Sequence, residues 1–246
     1  DPTGTDPSED AAGPRLFGAV SDWMRDWLPG LVAAPLAGLV DIAGGFAQAI
    51  GGIATWNGKT IVAGLANMGL GALSMIGMKE FFTDKWISPR DVGVLTTTLK
   101  MPRRMAKDIK EASDIQGRLA PDAWKNGMHA WHAATNAHIV NRLGPVGAPF
   151  LWLAGLVHES PIDWGSFQSE QAAQGTVNHI LDSSTDIVAN TWGIVLGLVL
   201  PRKIAVQAAA ITGNYIPGPG DPDPTGAGTG GYTGKPSDAW GQYPGH

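Results

Sequence analysis

Residues 60–78 read TIVAGLANMGLGALSMIGM and hold no charge between Lys59 and Lys79. Just upstream, residues 30–54 read GLVAAPLAGLVDIAGGFAQAIGGIA and carry a single charge, Asp41. Neither stretch alternates apolar with polar residues, and neither contains an Asn-Gly hairpin signal, so both read as helices rather than strands. Glycine costs roughly 1 kcal/mol relative to alanine inside a helix, so repeated glycines need an offsetting gain. Close backbone approach provides one. Ala33, Ala37, Gly45 and Ala49 fall at steps of four, interrupted by Asp41, with Ala43, Ala47 and Gly51 beside them. Such stripes are the main packing device of helices in lipid, where the hydrophobic effect between helices is missing, and they also serve tight crossings in soluble bundles.

The segments on either side are helical too. Residues 15–28 place Leu16, Val20, Trp23 and Trp27 at helical spacing. Residues 91–117 form the polar segment, with Lys100, Arg103, Arg104, Lys107 and Lys110 facing Asp108 within 100–110. A helix over 121–143 starts at Pro121, a favoured first position, and stops at Gly144-Pro145. Residues 146–158, 166–182, 184–200 and 201–211 complete the set. The expected fold is an all-α bundle of about seven to nine helices, with Gly/Ala-rich helices tightly packed.

Residues 1–14 and 213–246 consist largely of Gly, Pro, Asp, Ser and Thr without apolar periodicity, and are expected to be flexible. DPTG occurs at 1–4 and again at 223–226. The ends read either as Pro-rich linkers or as processing sites that free the middle from a larger polypeptide. The middle divides into a Gly/Ala-rich region, 15–120, that is a candidate for membrane contact, and a His/Asp-containing region, 121–212.

Composition narrows the function. The chain has 246 residues, 16% of them charged, against roughly 25% in an ordinary soluble domain. Its net charge of −5 with 43% apolar residues argues against a disordered chain and against a basic nucleic-acid binder, so no nucleic-acid partner is expected. Cysteine is absent, which removes disulfides, thiolate metal sites and cysteine nucleophiles. A membrane partner stays open. A spanning helix needs about 20 apolar residues; residues 60–78 approach this, while the uncharged stretches 143–157 and 187–201 fall short. The basic run 100–110 and Arg202-Lys203 would suit anionic headgroups or, more simply, a solvated face.

Five of the six histidines lie within 129–179. On a helix, His129, His132 and Asn136 share a face, while His138 is half a turn away. His158-Glu159 ends the next helix. His179, Asp182, Asp186 and Asn190 form a stripe on the helix after that, continued by Gly193 and Gly197. Carboxylates on an apolar helix need partners, and imidazole with carboxylate is both a ligand set for Zn, Mn or Fe and an acid–base pair. Simpler readings compete. Ser183-Ser184-Thr185-Asp186 looks like a capping box that opens a helix, and His158 suits a helix end through the dipole. The chain has no GxSxG and no Walker A motif.

Asn126, His129 and Trp131, then Gly144, His158-Glu159 and Asp186-x3-Asn190-x2-Gly193, occur in that order. This pattern is similar to an uncharacterised His-rich helical domain at the C-termini of bacterial Rhs-type polymorphic toxins. The Asp-x3-Asn-Thr-x-Gly part also resembles the last helix of VanZ-like membrane proteins. The resemblance implies an effector domain secreted or delivered from a bacterial cell, with a carrier or an immunity protein as partner.

The leading expectation is therefore an effector-like hydrolase with a divalent metal (Zn or Mn) or an acid–base site. His129, His132, His158 and Asp186 are the candidate metal ligands, and Glu159, His158 and Asp186 the candidate catalytic residues. Glu159 would act as general base, His179 and Asp182 would lie behind the ligands, and Asn190 would orient one. The alternatives are a membrane-inserting or pore-forming module working through 30–54 and 60–78, and a structural protein that self-associates through its Gly/Ala faces.

Overall fold

The structure is a computed structural model, and it describes residues 15–92, 100–122, 128–159 and 176–217. Among these residues the fold is all-α. Eight helices occur: α1 (Arg15–Trp27), α2 (Gly30–Ala54), α3 (Gly58–Met75), α4 (Lys79–Thr83), α5 (Arg103–Leu119), α6 (His129–His158), α7 (Thr176–Val199) and α8 (Arg202–Gly213). Two short antiparallel strands, β1 (Trp86–Ile87) and β2 (Met101–Pro102), pair Trp86 with Pro102 and tie α4 to the start of α5.

The glycines of α2 and α3 are explained by the contact between the two helices. A methyl group at Gly38 would lie 2.6 Å from the Gly71 carbonyl oxygen, one at Gly45 2.7 Å from that of Gly64, and one at Gly52 2.6 Å from the Ile61 nitrogen. Glycine thus recurs every seventh residue on α2, at 38, 45 and 52, and is met by glycine on α3 at 71 and 64. The antiparallel pair packs backbone on backbone, and alanine at these crossings would push the helices apart. Of the small residues singled out on α2, Ala33, Ala37, Gly45 and Ala49 are buried, whereas Ala43, Ala47 and Gly51 are exposed.

The Gly144-Pro145 stop predicted from sequence divides α6. Gly144 has φ 68° and ψ −170°, a conformation open essentially to glycine alone. The first limb, 129–143, lies parallel to α7: Gly193 and Gly197 of α7 sit against the Ala133 and Ala137 carbonyl oxygens, 2.1 and 2.4 Å from where their methyl groups would be. The second limb, 145–158, runs back along α7, with Trp152 Nε1 donating to Thr191 Oγ1 (3.1 Å) and Gly155 against the Asn190 side chain. Both ends of α6 therefore reach the same stretch of α7.

Met105, Ile109, Met128, Trp131, Ile139 and Leu143 form a buried apolar cluster, and much of the rest of the interior is small or polar. Ala33, Ala34, Ala37, Ala130, Ala133, Ala134 and Ala137 are fully buried, as are His129 and Asn141. Large apolar side chains face outward: Leu39, Phe46, Ile50 and Ile53 on α2, Val62 and Leu65 on α3, and Val177, Ile180, Val188 and Val199 on α7 are all exposed. Among the described residues one helix, α2, is long and apolar enough to cross a membrane by length and composition.

Three expectations need correction. The polar helix placed over 91–117 begins at Arg103 and is preceded by a turn and a strand; residues 93–99 lie outside the described residues. The helix placed from Pro121 begins at His129, after Met128 in a left-handed conformation (φ 60°); residues 123–127 are not described. The capping box at 183–186 opens no helix, because α7 runs unbroken from Thr176 to Val199. There the Ser184 and Thr185 hydroxyls donate back to the Ile180 and Leu181 carbonyls, the usual mid-helix alternative to capping. Most of the helix expected at 166–182 lies outside the described residues.

Candidate metal centre

Asp186 is the meeting point. It lies on α7, 5% exposed, and its Oδ1 stands 3.6 Å from His129 Nε2 and 3.4 Å from His132 Nε2. His129 and His132 come from the first turns of α6, one step of three apart. Glu159 caps the other end of α6, brought back by the reversal at Gly144. Two ligand sets result, each with its donor atoms within 4.8 Å of one another: His129 with Asp182 and Asp186, and His132 with Glu159 and Asp186.

The hydrogen bonds of the rings fix their tautomers. His129 Nδ1 lies 2.9 Å from the Ile216 carbonyl oxygen, which only accepts, so Nδ1 carries the proton. His132 Nδ1 lies 3.1 Å from Asn190 Oδ1. That oxygen already accepts from Asn136 Nδ2 (2.7 Å), and the same Asn136 amide also donates to the His132 carbonyl (2.9 Å). The amides are thereby oriented, and His132 Nδ1 must donate as well. In the neutral form both rings are left with a lone pair on Nε2, and both direct it at Asp186 Oδ1.

His129 is fully buried, and its Nε2 has no hydrogen-bond partner. Burial pushes its imidazole below the ordinary histidine range, against the pull of the Ile216 carbonyl in the other direction. A neutral ring facing a carboxylate oxygen with its lone pair is repelled, unless a cation lies between them. The spacing suits one: ligands at zinc-type bond lengths in a tetrahedron lie about 3.4 Å apart. An Nδ1–H held by a carbonyl, with Nε2 free, is also the usual second-shell arrangement of a metal-bound histidine. The residues present thus fit a divalent cation.

His138 falls outside this set, as its helical phase predicts. It faces α5, with Nε2 3.1 Å from Glu111 Oε2 and Nδ1 3.7 Å from Asp108 Oδ1. The donor atoms of these three residues also lie within 4.8 Å of one another, but they have a cation of their own. Arg142, one turn further along α6, donates from Nε to Asp108 Oδ2 (2.5 Å), from Nη2 to Asp108 Oδ1 (2.9 Å) and from Nη1 to Glu80 Oε1 (3.4 Å). Burial opposes the charge of Arg142, and Asp108 and Glu80 more than restore it, holding the guanidinium above its ordinary value. His138 holds the Glu111 carboxyl down at about 2, against the upward effect of burial. This network was missed at the sequence level. Its available signal was His138 and Arg142 at i, i+4 on one face of α6, with Asp108 and Glu111 at i, i+3 on α5.

Of the residues singled out from the sequence, the fold brings together His129, His132, Glu159, Asp186 and Asn190. Asp182, expected behind the ligands, belongs to a ligand set itself, since it shares the face of Asp186 one turn earlier. His179 is buried on α7 and is not among the ligand sets. The His158 side chain lies outside the described residues. No family model, no curated protein and no solved structure matches the chain.

Proposed function

We propose that the protein is a metal-dependent hydrolase of the bacterial effector kind. One observation carries the metal half of this reading: two imidazoles, each with Nδ1 committed as a donor, aim Nε2 at a single buried carboxylate oxygen. The effector half rests on the resemblance of residues 126–197 to the toxin domain. It carries with it a secreted or delivered location and a carrier or immunity partner.

His129 with Asp182 and Asp186, or His132 with Glu159 and Asp186, would hold a divalent cation. A divalent cation bound there supplies a Lewis acid and lowers the pKa of a coordinated water to about 7. Asn190 fixes the His132 tautomer and Ile216 that of His129. Glu159 is more exposed than Asp182 or Asp186, and it would act as the general base that passes a proton to and from solvent. His158, adjacent to it, remains a candidate for the same end of the site. Elemental analysis of the purified chain tests the reading. A stoichiometric divalent metal, lost in His129→Ala, is expected; less than about 0.2 metal per chain, unchanged by that substitution, would overturn it.

A second reading is favoured by the exterior: a membrane-inserting or pore-forming module built on α2 and α3. The exposed Leu39, Phe46, Ile50, Val62 and Leu65 form an apolar surface of the kind that marks contact with lipid or protein. Dye-loaded liposomes separate the two readings. Leakage that survives Asp186→Asn supports the membrane module; no binding and no leakage at pH 5 or 7 removes it.

A further inference from the structure

We propose that the cluster is a two-cation site, with Asp186 shared between an inner and an outer ion. The inference rests on the metal reading above and adds stoichiometry and order to it. The five ligands divide into two sets that have only Asp186 in common, and each set has one imidazole and one carboxylate of its own. His129 and Asp182 form the inner set and His132 and Glu159 the outer. A carboxylate common to two ligand sets is the element that holds paired ions about 3.5–4 Å apart.

The five ligands include three carboxylates, and Asp182 and Asp186 are only 6% and 5% exposed. The independent pointer is His129 itself, fully buried, with Nε2 unpartnered in hydrogen bonding and aimed into the site.

The two positions differ in access. The inner ligands are all buried, whereas the His132 side chain is 14% exposed and Glu159 is half-buried. The inner ion would therefore exchange slowly and the outer ion faster.

Full-length protein, stripped of metal and titrated with Mn²⁺, tests this by equilibrium dialysis and electron paramagnetic resonance. About two Mn²⁺ per chain are expected, with an exchange-coupled spectrum, and EDTA should remove them in two phases of different rate. Asp182→Asn should halve the bound Mn²⁺ and abolish the coupling. Should that variant not fold, Glu159→Gln, at the half-buried end, should also halve it, and the ion that remains should be the one EDTA removes slowly. One Mn²⁺ in the wild-type chain, or two without coupling, would overturn the shared site while leaving a metal centre. No bound Mn²⁺ would overturn this proposal and the metal reading together.

Discussion

On one side of the first limb of α6, Asp108 and Glu80 close on the Arg142 guanidinium, and His138 bonds Glu111. On the other side, Asp182 and Asp186 meet the imidazoles of His129 and His132. Both regions bury carboxylates in an alanine-rich interior, which costs several kcal/mol per uncompensated ion. The first region includes a permanent cation, because a guanidinium stays charged even when desolvated. In the second, the described partners of Asp186 are rings whose protons are committed elsewhere. The first network carries its own cation and stabilises the fold. The second groups its carboxylates with imidazoles in sets that could hold a metal ion.

The difference can be broken from either side. Arg142→Ala leaves Asp108 and Glu80 buried without their cation and should cost about 3–5 kcal/mol in denaturant unfolding, the largest single loss expected. A loss below about 1 kcal/mol would show that the network is not the stabilising one. On the other side, metal should stabilise: at an ion concentration one hundred times Kd, unfolding should cost about 2.7 kcal/mol more than after EDTA treatment. Equal melting temperatures with and without chelator would contradict that.

Smaller effects sharpen the contrast. Asp186→Asn should lower metal affinity by at least about 100-fold, read by competition with a chelating dye; an unchanged affinity would remove Asp186 from the ligands. Asn190→Ala frees the His132 tautomer and should cost about 10–100-fold in metal affinity, read by competition with a chelating dye. The smallest effect is acid-specific. The Glu111 carboxyl sits at about 2 in the fold, below its ordinary value of 4.5, so its pairing with His138 stabilises the fold above about pH 4.5 and is lost as pH falls toward 2. Glu111→Gln should flatten this part of the acid unfolding curve; an unchanged curve would show that the half-exposed pair contributes nothing.

Much of this was readable in the sequence, and the exceptions have physical causes. The α2 boundaries and the break at Gly144 followed from local rules, since charge-free Gly/Ala runs and Gly-Pro act on the backbone nearby. The meeting of His129, His132, Asp186 and Asn190 was foreshadowed by the 3.6-residue period, which fixes shared faces without saying which helices pair. The pairing itself depended on Gly193 and Gly197 lying against the α6 carbonyls, a tertiary contact. Ser183–Asp186 misled because a capping signal is local, and packing along α7 overrode it. Arg142 was missed because its partners Glu80 and Asp108 lie 62 and 34 residues away, and no periodicity links them.

The central claim is that His129 and His132 carry a proton on Nδ1 and present Nε2 to a cation beside Asp186. Nitrogen-15 NMR of the imidazoles, recorded on the metal-free chain and after addition of Zn²⁺, tests it directly. The account predicts the Nδ1–H tautomer for both rings before zinc, and large shifts confined to their Nε2 atoms after it. Rings protonated on Nε2, or Nε2 signals that zinc leaves in place, would contradict it.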